Sequence, residues 1–285
     1  MPSTIHDVNC GYTSHRPVLF SNSSNTVSGD NDAAMETTSL LELSTDDPRS
    51  SAVVSAIQRG GVSTLQNMLD TDPALATARI VDHRQVKRTL LHVLADWPGH
   101  FPNGAETAAA LIRAGADVNA RVISPEPNGV AETPLHWAAS SDDVTLVDAL
   151  LDAGADIEVP GAVFTGGAPM SDAVVFAQWN AARRLLARGA QTTLWQAAAL
   201  GLPDQVQKFF TTEPPPSQRD ITNAFWHACR GGQQQTAEFL LGQGADPNWI
   251  GYDHKTPFQV AQESGAEELI TWLRQHAAAD PPPSS

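Results

Sequence analysis

The phrase Thr133-Pro134-Leu135-His136-Trp137-Ala138-Ala139, running on to Leu150-Leu151-Asp152-Ala153-Gly154-Ala155-Asp156, constrains this chain more than any other stretch. Thr133 is placed to cap a helix, and Pro134 suits the first helical position, where its missing N–H costs nothing. Ala138 and Ala139 are small enough to let a neighbouring helix approach. Val144, Val147, Leu150 and Leu151 recur at helical spacing and form one apolar stripe, and Gly154 supplies a left-handed stop. A unit of two short helices cannot bury that stripe alone, so it must stack on copies of itself.

The copies are present. Thr256-Pro257-Phe258-Gln259-Val260-Ala261 restarts the phrase, with Leu273 in its second helix. Asn223 to Cys229 opens another copy, which closes on Phe239-Leu240-Leu241 and Gly244-Ala245-Asp246. Further copies open at Thr192, at Ala168-Pro169-Met170 and at Thr89-Leu90-Leu91-His92, and a degenerate one starts near Ser51. The starts near 51, 89, 133, 168, 192, 223 and 256 predict about seven repeats. From Ser51 to Ala278 the chain resembles the ankyrin-repeat family. The resemblance implies an all-α solenoid of helix-turn-helix repeats, residues 50–279, in which His92 and His136 bond backbone groups of adjoining loops.

Outside the repeats, residues 1–49 are rich in Ser, Thr, Asn and Asp and carry too little apolar surface to offset the entropy of ordering. They read as a disordered tail in which Leu40 to Leu43 could dock as a short helix. Residues 280–285 read as a disordered proline-rich tail. With 32 acidic against 17 basic residues, the formal net charge of −15 disfavours nucleic acid and anionic membranes as partners. No apolar run approaches the roughly 20 residues of a membrane span, and Met1 to Asn9 lack the pattern of a secretory leader. Cys10 and Cys229 read as free thiols, and a cytoplasmic location follows by default, with the nucleus as the other reducing compartment.

Two irregularities mark where function could sit. The second repeat carries an insertion, Asp96-Trp97-Pro98-Gly99-His100-Phe101-Pro102-Asn103-Gly104, which makes its inter-helix loop about five residues longer than that of the third. Insertions in solenoids map to loops, often on the binding face. The connections Arg121–Glu132 and Val159–Gly167 are long, whereas Ala190-Gln191 leads straight into the next repeat, so the middle of the ladder is irregular. Aromatic residues recur at matching repeat positions: Trp195 and Trp226 at position four, Trp137 at five, Trp97 at nine, with Trp249 and Tyr252 in the last connection.

The expected function is a non-enzymatic module that holds a protein partner on its concave helix-and-loop face. Trp97, Phe101, Phe176, Trp249 and Tyr252 are the expected aromatic anchors. Asp96 and Arg230 are expected to set register. The alternative is a protein that binds a small apolar metabolite, or an acid–base enzyme of isomerase or cyclase type, using Asp96, His100, Asp172, His227 and Tyr252. A third reading has the Ser/Thr-rich tail occupying the groove. No metal or cofactor phrase is present: no C-x-x-C, H-E-x-x-H, G-x-G-x-x-G or P-loop. The stretches Asp96–Pro102, Glu132–Trp137, Asn223–Cys229 and Asn248–Asp253 depart from generic ankyrin phrasing and resemble a distinct group of microbial ankyrin-repeat proteins with no assigned activity.

Overall fold

A computed structural model describes residues 40–125 and 131–276. Within them seven helix pairs follow one another: α1 (Pro48–Gln58) with α2 (Val62–Thr71), α3 (Leu90–Ala95) with α4 (Gly104–Arg113), α5 (Pro134–Ser140) with α6 (Val144–Asp152), and α7 (Pro169–Val175) with α8 (Trp179–Ala187). The series continues with α9 (Leu194–Ala199) and α10 (Pro203–Phe209), α11 (Gln218–Arg230) and α12 (Gln234–Gly242), and α13 (Pro257–Ser264) and α14 (Glu267–His276). This is the expected all-α solenoid.

In five of the seven pairs the first helix is short, six to eight residues, and a side-chain cap fixes where most first helices start. Thr89, Thr133, Thr193, Ser217 and Thr256 each form a reciprocal capping box with the third helical residue: His92, His136, Gln196, Asp220 and Gln259 respectively. Leu90, Leu91, Leu135, Leu146, Leu150 and Leu185 are essentially without solvent exposure, as are Ala138, Ala139, Ala181 and Ala182. The alanines lie where helices of successive repeats cross closely, and the leucines fill the seam between the two helix layers.

The structure corrects three sequence expectations. Residues 40–49 are not part of a tail: Glu42–Ser44 forms strand β1, and helix α1 is already under way at Pro48, capped by Asp47. β1 pairs in parallel with β2 (Arg79–Val81), which pairs antiparallel with β3 (Lys87–Thr89), so an otherwise all-helical stack carries a small sheet at its first repeat. Leu40 to Leu43 therefore contributes a strand rather than a docked helix, and Leu43 is fully buried in it. The remainder of the expected N-terminal tail and the proline-rich tail at 280–285 lie outside the described residues. The fifth repeat is capped at Thr193, one residue later than its expected start, because α9 is shorter than α5. Gln196 and not Trp195 thus takes the third helical position, which accepts the Thr193 N–H at 2.8 Å.

Candidate functional site

The histidine slot shows how one repeat is tied to the next. His92 Nδ1 accepts the Thr89 N–H at 3.3 Å, which leaves the proton on Nε2 to donate to the Glu132 carbonyl at 3.1 Å. His136 repeats the pattern, accepting from Thr133 N–H at 3.1 Å and donating to the Gly167 carbonyl at 3.3 Å. Burial holds His92 at a pKa of about 3 and His136 at about 4, so both rings are neutral. In the sixth repeat α11 starts further back, at Gln218, and Asp220 closes its capping box; the bond to the next connection passes to Trp226, whose indole N–H donates to the Lys255 carbonyl at 2.9 Å.

The insertion after α3 is pinned at both ends. Asn103 Nδ2 donates to the Gly60 carbonyl of the first repeat at 2.9 Å, and a Cβ at Gly60 would stand 2.2 Å from the Pro102 carbonyl oxygen. On the other side the His100 N–H donates to Asp143 at 2.9 Å, and its Nε2 lies 3.1 Å from the Ser141 carbonyl of the third repeat. Phe101 packs against the hydrophobic core. The loop therefore spans three repeats, and these anchors leave Trp97 standing out with 68% of its surface exposed.

Beside Trp97 lies a groove of about 170 Å³, walled by Trp97, Trp137, Val163 and Phe176 and lined by Asp96 and Glu132. Phe164, also exposed, continues the apolar wall through a ring contact with Phe176 at 5.8 Å. Asp96 terminates α3, accepts the Trp97 N–H at 3.0 Å and pairs with Arg88 at 3.1 Å. Burial raises its pKa and Arg88 opposes that shift. The Arg88 guanidinium carbon also sits 6.0 Å from the Trp137 ring centre.

Glu132 is one of two neighbouring buried carboxyls. Glu132 is 8% exposed and accepts two neutral donors, the Trp137 indole N–H at 2.8 Å and the Val163 N–H at 3.1 Å. Asp172 is 1% exposed, and neither of its oxygens meets ordinary hydrogen-bond geometry to another protein group. Burial, then the neighbouring Glu132 charge, pushes Asp172 up to about 9. Burial also raises Glu132, but its two donors oppose that shift. The proton of the pair accordingly belongs on Asp172, which lacks such donors, and its O–H faces Glu132.

A second aromatic cluster sits further along. The His227 ring lies 4.6 Å from Trp195, 4.9 Å from Trp226 and 5.6 Å from Tyr252, centre to centre, and Trp249 lies 5.9 Å from Tyr252. Burial, with Arg230 nearby, holds His227 at about 3, and burial raises Tyr252. These rings fill one another's space. Tyr252 alone among them is half exposed, at 52%.

Of the expected anchors, then, Asp96, Trp97 and Phe176 meet at the groove, and Trp249 and Tyr252 join the second cluster. Phe101 belongs to the core instead of the binding face, and Arg230 is committed within the chain, donating to the carbonyls of Val174 at 3.1 Å and Val175 at 2.7 Å. The five acid–base candidates do not form one site. Only Asp96 lines the groove; His100 anchors the loop, Asp172 is buried beside Glu132, and His227 and Tyr252 are in the second cluster. Sequence reasoning passed over Glu132, Val163 and Phe164. Glu132 directly precedes the capping Thr133, a position whose side chain meets the fourth helical residue, here Trp137.

Ankyrin-repeat family models match the chain twice, a single repeat over residues 132–162 and a three-copy model over residues 194–283. The chain is an ankyrin-repeat protein. Ankyrin repeats are in general protein-interaction modules. No curated protein matches the chain. Among solved structures it is similar to the human ASB11 ankyrin repeat domain, at 19% identity and a TM-score of 0.44, over 81% of this chain and 99% of that one. No helix among the described residues is long and apolar enough to cross a membrane.

Proposed function

We propose that this ankyrin stack is a protein-binding module that seats a segment of a partner protein in the groove spanning its second to fourth repeats. The observation that carries the reading is the exposed Trp97 ring, presented by a loop anchored to both neighbouring repeats. It forms one apolar surface with Val163, Phe164 and Phe176. Exposed aromatic surface on rigid backbone is the usual anatomy of an interface anchor. The groove is smaller than the roughly 300–1,000 Å³ of small-molecule sites, which favours a protein surface over an enclosed ligand. A larger hollow of about 300 Å³, between residues 42–46 and 81–85, offers only Val81 as an aliphatic wall and gives a partner little to bury.

The test is affinity capture from the source cells with the intact protein and with Trp97→Ala, beside melting curves of both. A protein retained by the intact form and lost by Trp97→Ala, at unchanged melting temperature, supports the reading. Equal retention by both forms overturns it.

A further inference from the structure

The groove has a chemical asymmetry that the binding reading alone does not use. Its lining brings the aromatic rings of Trp97, Trp137 and Phe176 together with the carboxylate of Glu132. Glu132 is more than nine-tenths buried, yet among the described residues no Lys or Arg forms an ion pair with it. It accepts the neutral N–H groups of Trp137 and Val163, one on each oxygen, and its other neighbour is the neutral Asp172 carboxyl. A carboxylate oxygen can accept more than one donor, so both oxygens retain capacity. The neighbouring Asp172 carboxyl holds the shared proton against Glu132 and supplies no countercharge. Arg88, which sits over the Trp137 ring, is paired with Asp96. Local charge is therefore unbalanced toward the negative, in a protein that carries −15 overall.

We propose that the groove is a slot for one arginine side chain of the partner protein, its guanidinium resting on the aromatic wall that Trp97 and Phe176 contribute and reaching the Glu132 carboxylate. The proposal rests on the protein-binding reading and deepens it by naming the recognised group. Three features favour a guanidinium. Its flat face stacks on aromatic rings, its N–H fork matches a carboxylate, and it sheds water more readily than an ammonium. Arg88 shows related chemistry nearby, with its guanidinium over Trp137 and its Nη1 donating to Asp96. The volume of about 170 Å³ suits a single side chain. Apolar residues flanking the arginine in the partner segment would rest on Val163 and Phe164, both exposed at the rim.

The Trp137 indole N–H is a built-in reporter, because its acceptor is a Glu132 oxygen. The experiment titrates ¹⁵N-labelled full-length protein with N-acetyl-arginine amide and with N-acetyl-citrulline amide, its neutral isostere, and follows the Trp137 indole resonance. The arginine compound is expected to shift that resonance saturably, and the citrulline compound to leave it in place. Trp97→Ala, on an exposed side chain, is expected to weaken the arginine compound roughly fivefold while the spectrum stays folded. Glu132→Gln is expected to abolish the charge preference. Equal shifts with citrulline, or an arginine affinity unaffected by Trp97→Ala, overturn the slot. Free arginine binding more tightly than its capped amide overturns the protein source and assigns the slot to a small metabolite. A partner captured through Trp97 from cells, together with no arginine preference here, overturns the slot and leaves the binding function standing. Equal capture by both forms removes the function itself.

Discussion

Asp172→Asn tests the buried carboxyl pair most directly. Asp172 has a folded pKa of about 9, against 3.8 for an unhindered carboxyl. Between those values the native state holds one proton more than the unfolded chain. For an acid raised on folding, its stabilising contribution is complete below about pH 3.8 and drains away as pH rises toward 9, at about 1.4 kcal/mol per pH unit. His92, His136 and His227 run the other way: buried neutral, at about 3, 4 and 3, they favour folding more as pH climbs to the ordinary value of 6.5. Their effect is spent by about pH 7.5. Burial raises the Cys229 thiol, which adds a loss only near and above its ordinary 9.0. From pH 7 to 8.5, therefore, wild type is expected to lose about 2 kcal/mol through Asp172. Asp172→Asn, which cannot ionise and whose amide N–H can still donate to Glu132, is expected to stay nearly level and to be the more stable protein throughout. Urea unfolding at half-unit pH steps, followed by circular dichroism, measures this. Parallel stability profiles for the two proteins would refute the assignment of the proton to a buried Asp172.

Other consequences follow from single contacts. Trp137→Phe removes the 2.8 Å donor to Glu132 and is expected to cost about 1.5–3 kcal/mol in urea unfolding at pH 7, the range for a hydrogen bond to a charged group. Gly231→Ala places a Cβ 2.0 Å from the Ala199 carbonyl oxygen at an ordinary helical backbone angle, so the clash between the fifth and sixth repeats should cost roughly 1–3 kcal/mol. Gly242→Ala, with nothing within 4 Å of its Cβ at the end of α12, is expected to gain about 0.5–1 kcal/mol by the same assay. Leu150→Ala, in the fully buried seam, should lose about 2–5 kcal/mol.

The repeats were legible because their information is local. A capping Thr three residues before His or Gln, two alanines, and a leucine stripe ending in Gly each state a physical requirement within one turn of helix. The edge sheet was not legible, because Glu42–Ser44 is held by residues 79–81, and three residues carry too short an alternation to distinguish strand from helix. The fifth repeat misled for a related reason. Its Ala197-Ala198-Ala199 aligns with the later part of α5, while its cap aligns one residue further on, so phrase matching alone had to choose one end.

Site residues failed where the sequence supplied chemistry but not direction. Phe101 and Trp97 lie in the same insertion and carry the same apolar appeal, yet the anchors at His100 and Asn103 leave one ring packed on the core and the other in solvent. Arg230 looked free to set a partner's register until the stacking brought the carbonyls of Val174 and Val175, more than fifty residues away, within its reach. Glu132 is the opposite case, since its direction could be read. The residue before a helix cap meets the fourth helical residue, and in an ordinary helix that pair is apolar and closes a staple. Here the pair is a carboxylate and an indole N–H, so the site is built on a structural contact whose apolar member has been exchanged for a charge. The exchange costs desolvation that Trp137 and Val163 only partly offset. An arginine arriving in the groove would supply the missing countercharge, and it gives this otherwise structural position a reason to carry a carboxylate.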